Sequence, residues 1–259
     1  MSGVHVDSFG HGPPLVLLHG WAMHSGIWGP LREQLARRHR VHAVDLPGHG
    51  HSPPIASCTL DGIVAAVSSA LATEGAPLAV LGWSMGGLVA LRWARLQPER
   101  VERLVLMCTT PRFVAGEDWP HAMSAETLAR FGDELHIAWK LTVQRFLALQ
   151  VHGSEHGRAV LAALRDQLFA RGEPSRAALS ATLGLLATTD LRTEVAGIAQ
   201  RALVIAGGRD TLAWPAAGRW LAAALPDATY DEVAGAAHAP FLSHPDAVRA
   251  ALAAFLDGQ

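Results

Sequence analysis

The sequence predicts an α/β fold: a mostly parallel β-sheet covered by helices on both faces, with a block of helices set into it. Three observations predict it. Short apolar runs alternate with segments of helical spacing, the pattern of parallel strands joined by helical crossovers. That alternation stops after about Pro111 and resumes at Ala202. Half of the 259 residues are hydrophobic, 17% are charged and no low-complexity tract occurs, which excludes a disordered or fibrous chain.

The elements follow in order. Residues 15–18 form the first strand-like run and lead into His19-Gly20-Trp21; residues 27–37 have helical spacing. A second run, 41–44, enters Asp45-Leu46-Pro47-Gly48-His49-Gly50-His51-Ser52, and a helical pattern spans 60–71. The run 78–81 ends at a glycine-rich turn, with a helix expected over 85–96 and a strand over 103–107. From there to about Leu191 only helical patterns occur, such as Leu161, Leu164 and Leu168, then Leu179, Leu183 and Leu186. Runs 202–206 and 228–233 restore the strands. The expected organisation is therefore an α/β core over 1–111 and 191–259 and a helical cap over 112–190. A segment leaving the sheet at Met107 emerges at the carboxyl ends of the strands, where open α/β sheets bind ligands, and is placed to act as a lid.

Net charge is −2, from 21 basic and 23 acidic side chains, so no overall field draws the protein to nucleic acid or an anionic membrane. Two cysteines, Cys58 and Cys108, cannot build a disulfide framework in a chain this long and are expected as reduced thiols. The N-terminus lacks the pattern of a signal peptide. The longest uncharged stretch, 75–91, holds Pro77 and four glycines and fits a strand, turn and helix better than a membrane span. A soluble, cytoplasmic protein is expected.

The sharpest motif is Gly82-Trp83-Ser84-Met85-Gly86-Gly87. Gly-x-Ser-x-Gly is common by chance, but a strand before it and a helix after it make a nucleophile elbow. The strained turn needs small residues two positions either side of Ser84, and it puts the serine at a helix N-terminus that favours developing negative charge. A serine nucleophile needs a base, and the base an orienting carboxylate. Of 14 histidines, His238 follows the last strand-like run among small residues, in Gly235-Ala236-Ala237-His238-Ala239-Pro240. His244 is the competitor, but it precedes Pro245 at an apparent helix start. Asp210, in Gly207-Gly208-Arg209-Asp210 at a strand end, is the acid; Asp190, with no strand before it, is the weaker alternative. The oxyanion hole is expected from the backbone N–H groups of Met85 and Trp21. No His, Cys, Asp or Glu grouping has zinc spacing, so neither metal nor cofactor is expected.

The order Ser84, Asp210, His238 is that of the α/β-hydrolases, which the chain resembles throughout its length. Four segments are more specific: the elbow, Glu117-Asp118-Trp119-Pro120, Arg145-Phe146-Leu147-Ala148-Leu149-Gln150, and Ala236-Ala237-His238-Ala239-Pro240-Phe241-Leu242-Ser243-His244-Pro245. Together they resemble the pimeloyl-acyl carrier protein methyl ester esterases of biotin synthesis. That resemblance implies a helical cap after the sixth strand and hydrolysis of a methyl ester on a carrier-bound pimeloyl chain. It also implies substrate contacts from Trp21, Ser84, Met85, His238, Phe146, Leu147, Ala148, Leu149 and Gln150. On their own, residues 146–150 equally fit a lid helix packed on the core.

A carrier protein is acidic, so its dock should be locally basic. Residues 136–180 carry six basic and three acidic side chains, while the rest of the chain is net −5. A solvated helix face explains that asymmetry about as well. Arg145 and Arg158 match the basic docking positions of the family, whereas Leu141 and Ala162 stand where arginines are expected; Lys140 and Arg165 are the nearby replacements. The expected enzyme is a monomeric serine carboxylesterase. A general short-chain esterase without a carrier, a cofactor-free perhydrolase and an inactive ligand-binding hydrolase fold share most of these residues, though an intact Ser84, Asp210 and His238 argue against the last.

Overall fold

A computed structural model describes residues 3–75 and 77–258; residues 1, 2, 76 and 259, which the expected domain boundaries include, lie outside it. Continuous apolar runs make the central strands because a sheet covered on both faces has no solvent side to alternate toward. Leu15, Val16, Leu17 and Leu18, for example, are all fully buried. The strands are β1 (Val6–Phe9), β2 (Pro14–Leu18), β3 (Arg40–Val44), β4 (Leu78–Trp83), β5 (Val101–Met107), β6 (Arg201–Gly207) and β7 (Ala228–Val233). They form one sheet in the order β1-β3-β2-β4-β5-β6-β7. Among the described residues only β1 runs antiparallel, against β3; every other pairing in the sheet is parallel.

Six of these strands match the predicted runs to within two residues at each end, and β1 is the exception. Its four residues, Val-Asp-Ser-Phe, contain no apolar run because an antiparallel edge strand is covered on one side only. The helical segment leaves the sheet at Met107, as expected, but β5 is the fifth strand in chain order among the described residues, not the sixth.

On the core, α1 (Gly29–Leu35), α2 (Leu60–Ala70), α3 (Met85–Leu96), α7 (Pro215–Ala224), α8 (Pro240–Ser243) and α9 (Pro245–Asp257) cover the sheet. Thr59 caps α2 by accepting the Gly62 N–H at 3.0 Å, and Leu60, Ile63, Val64 and Val67 supply its buried face at helical spacing. α3 is buried along most of its length, which sets the elbow at its N-terminus in the middle of the molecule.

Between β5 and β6 lie α4 (Ala125–Gln150), α5 (Gly157–Leu168) and α6 (Arg176–Thr188). Ser124 caps α4 by accepting from the Thr127 N–H. The helix bends at Ala138 (φ −143°, ψ 56°), whose carbonyl accepts from the Thr142 hydroxyl at 3.1 Å. The inner faces of the three helices, including Trp139, Val143, Leu164 and Leu179, join the same hydrophobic cluster as the sheet.

Polar stitches hold this segment to the core. His24 accepts the Gly26 N–H at Nδ1, so its Nε2 donates to the Gln167 carbonyl, at 2.6 Å. Arg171 pairs with both Asp7 and the fully buried Asp45. Ser175 N–H donates to the Gly48 carbonyl at 2.9 Å. No described helix is long and apolar enough to cross a membrane, and both cysteines are free thiols.

Candidate active site

Ser84 sits between β4 and α3 with φ 55° and ψ −119°, a backbone conformation that costs energy for a residue with a Cβ. The neighbouring glycines make the turn possible. A Cβ on Gly82 would lie 2.3 Å from the Gly86 carbonyl oxygen, and one on Gly86 would lie 2.3 Å from the Leu18 carbonyl oxygen. The Ser84 backbone is held at both ends. Its N–H donates to the Met107 carbonyl at 3.0 Å, and its own carbonyl accepts from the Thr109 hydroxyl at 2.7 Å.

His238 lies beyond β7 and Asp210 beyond β6, and the sheet brings both to Ser84. The Ser84 Oγ to His238 Nε2 distance is 2.8 Å, and His238 Nδ1 lies 2.8 Å from Asp210 Oδ2. An aspartate can only accept, so Nδ1 carries the proton and Nε2 is free to take one from Ser84. Asp210 is itself held, with Oδ1 accepting the N–H groups of Leu212 (2.8 Å) and Ala213 (3.1 Å). The His238 main chain is pinned twice: its N–H donates to the Gln150 carbonyl at 3.0 Å, and its carbonyl accepts from Trp83 Nε1 at 2.7 Å. Ser84, Asp210 and His238 are 3%, 3% and 1% exposed. The Cys108 thiol lies beside this group, and burial together with the Asp210 charge pushes its pKa well above the ordinary value.

The Met85 and Trp21 N–H groups have no protein acceptor among the described residues, which leaves both free for a developing oxyanion. Trp21 is positioned by its indole, which donates to the Leu179 carbonyl at 3.1 Å and meets Phe146 edge-on at 4.8 Å. Phe146 in turn contacts Phe131, with ring centres 5.8 Å apart. Of residues 146–150, Phe146, Leu147 and Gln150 are buried, Leu149 is half-buried and Ala148 is exposed. A helix turns too fast for five consecutive residues to share one face.

The rival residues go elsewhere. His244 Nδ1 bonds the Ser243 hydroxyl at 2.8 Å, and Asp190 pairs with Arg192 near the surface. Among the basic positions, Lys140 pairs with Glu173 and Arg145 with Glu134 at 2.9 Å. Arg158 and Arg165 are exposed and make no ion pair among the described residues. Leu141 is 48% exposed, and Ile137, one turn earlier, is 87% exposed.

Under the Trp21 loop lies a second polar group. His19 Nε2 accepts the Leu46 N–H at 2.9 Å and its Nδ1 donates to the Gly20 carbonyl at 2.8 Å. Burial, with the nearby His49, lowers the His19 pKa to about 3, and burial lowers that of His49 to about 4. For Asp45, burial acts upward, but N–H donors from His51 and Ser25 and the His19 charge outweigh it and hold the carboxyl below its usual range.

Three supports of the site have roles that the sequence motifs do not specify: the Thr109 hydroxyl, the Gln150 carbonyl and the Trp83 indole N–H. Thr109 has a local signal, since it lies two residues past a predicted strand end. The Gln150 carbonyl has none, because every residue carries one.

Residues 15–251 match the alpha/beta hydrolase family. The chain is 49% identical to a pimeloyl-[acyl-carrier protein] methyl ester esterase of Xanthomonas campestris pv. campestris, over 98% of each chain. It is 44% identical to the esterase of the same name from Chromobacterium violaceum, again over 98% of each. Among solved structures, a bromoperoxidase from Bacillus anthracis superposes with a TM-score of 0.90 at 20% identity, covering 98% of this chain and 95% of that one; it shows the fold alone.

Proposed function

This chain belongs to the alpha/beta hydrolase family, and on that premise we propose that it hydrolyses the methyl ester of pimeloyl-[acyl-carrier protein], releasing methanol. The observation that carries the chemistry is the hydrogen-bonded chain from Ser84 through His238 to Asp210, with 2.8 Å at both links. The near-complete alignment with esterases bearing that name supports the substrate.

In this reading His238 takes the Ser84 proton as Ser84 Oγ attacks the ester carbonyl. The Met85 and Trp21 N–H groups receive the oxyanion, and the loss of one such donor typically costs on the order of 10²–10³ in rate. Collapse expels methoxide, which His238 protonates. Water, deprotonated by the same imidazole, then releases the acid from the acyl-enzyme. Asp210 keeps the proton on Nδ1 and stabilises the imidazolium. Phe146, Leu147 and Gln150 wall the acyl chain, and Lys140, Arg145, Arg158 and Arg165 face the carrier. With Ser84 almost fully buried, residues 112–190 act as a lid that opens to admit the substrate. The enzyme works as a cytoplasmic monomer and needs no cofactor for this reaction.

A general esterase acting on free esters is the second reading. Leu141 and Ala162 at expected arginine positions favour it, as do the ion pairs that already occupy Lys140 and Arg145. Turnover of the methyl pimeloyl carrier beside dimethyl pimelate and p-nitrophenyl esters separates the two. The carrier-bound ester is expected to show the highest kcat/KM, and equal values for free and carrier-bound esters would select the general esterase.

A further inference from the structure

Away from the triad, the loop after α4 meets the turn between α8 and α9. Glu155 and His156 come from the first and His244 from the second, 88 residues later. One carboxylate oxygen and one ring nitrogen from each histidine all lie within 4.8 Å of one another. The two imidazoles are 5.3 Å apart and tilted by 53°, and His244 Nε2 is 3.9 Å from Glu155 Oε2. None of the three has a part in ester hydrolysis.

The surroundings orient these groups. His244 Nδ1 is occupied by the Ser243 hydroxyl, which turns Nε2 toward Glu155. A second partner on the far nitrogen is the usual support of a metal-binding histidine. The Glu155 main chain donates to the Gly235 carbonyl at 3.1 Å, and Arg209 holds its Oε1 at 3.1 Å, leaving Oε2 toward the histidines. Gly235, at φ +77°, makes room: a Cβ there would lie 2.5 Å from Glu155 Oε1. Glu155 and His156 are exposed, so an ion has access from solvent and both side chains can adjust.

We propose that Glu155, His156 and His244 form a site for a divalent transition-metal ion of the zinc class, clamping the helical segment to the core. Two imidazole nitrogens and one carboxylate, with water as fourth ligand, suit zinc, cobalt or nickel rather than calcium or magnesium. Tetrahedral coordination needs donors about 3.4 Å apart, so the side chains close by roughly 1 Å. Arg209 weakens the site by sharing Glu155, which sets a moderate affinity. The linear sequence shows no zinc pattern because the third ligand arrives from the far end of the fold. Bound metal ties the loop that follows Gln150 to the segment carrying His238, and so favours the closed lid.

The proposal does not depend on the ester substrate, and its test reads binding. Untagged full-length protein is titrated with Zn²⁺ by calorimetry and with Co²⁺ by absorption. One ion per chain is expected, with d–d bands and no thiolate charge-transfer band. Uptake should fall at least about tenfold in both His156→Ala and Glu155→Gln and stay unchanged in Cys108→Ser. Zn²⁺ should raise the Tm of the wild type but not of His156→Ala. No uptake, or uptake indifferent to His156→Ala, overturns the proposal. So does a thiolate band or loss of binding in Cys108→Ser, which puts the ion at Cys108, Asp210 and His238.

Discussion

The α/β core and the helical segment share one hydrophobic cluster, but the Ser84 group of the one and the outer face of the other hold their polar side chains in opposite ways. In the core, Ser84, His238 and Asp210 are buried and each has at least two fixed partners. On the helical segment, Arg130, Lys140 and Arg145 make single ion pairs near the surface with Glu126, Glu173 and Glu134. Such pairs are individually worth little and exchange readily with water or a partner. On the proposed function, the contrast separates a preorganised reaction centre from an adaptable cover. Chemistry should therefore be lost through the core, and selectivity through the cover.

The largest expected effect is Ser84→Ala, which should abolish fluorophosphonate labelling and cut kcat for p-nitrophenyl acetate by about 10⁶. Asp210→Asn should cost about 10⁴ by favouring the wrong His238 tautomer. Undiminished labelling of Ser84→Ala would break the assignment of the core outright.

Phe146→Ala tests the cover. Removing a buried phenyl typically costs 3–5 kcal/mol, and an adaptable helix that collapses around the gap should sit near the lower figure, about 3 kcal/mol, in urea unfolding. Its KM for acyl esters should change more than its kcat. A kcat loss as deep as that of Ser84→Ala would erase the distinction between the two regions.

Acid should weaken the core first. His19 and His49 are buried neutral, with folded pKa values of about 3 and 4, against 6.5 in the unfolded chain. Between pH 6.5 and 4 the unfolded chain takes up protons that the folded one refuses, so stability is complete above pH 6.5 and declines as pH falls. By pH 5 each histidine should cost on the order of 2 kcal/mol in urea unfolding relative to pH 7. His49→Gln should flatten that slope. An unchanged slope would place the acid sensitivity elsewhere.

The smallest effect belongs to exposed charges. Arg145→Glu and Arg158→Glu should each raise KM for the carrier substrate several-fold, roughly 1 kcal/mol per position, and leave small esters untouched. Equal shifts for both substrates would remove these positions from the dock.

Where function rests on local turn chemistry, the sequence was readable. Gly82 and Gly86 exist because a Cβ would strike a carbonyl 2.3 Å away, and that requirement is written into five consecutive residues. His238 and Asp210 each stand a few residues past a strand-like run, and the fold brings both into hydrogen-bonding range of the Ser84 group. Strand β1 leaves no such signal because an edge strand needs no apolar run, and the run 146–150 does not by itself say that the helix turns Ala148 outward.

By itself the sequence determined the α/β class, six of the strands, the place where the helices leave the sheet and the strained turn at Ser84. Each follows from hydrophobic period or glycine sterics within a dozen residues. Tertiary structure alone decided what distant residues do together. It set Gln150 O against His238 N, Arg171 against Asp45, and Glu155 and His156 beside His244. The physical reason is that a backbone carbonyl or a lone side chain leaves no periodic trace, and its partner is chosen only when the sheet closes and the helices pack upon it.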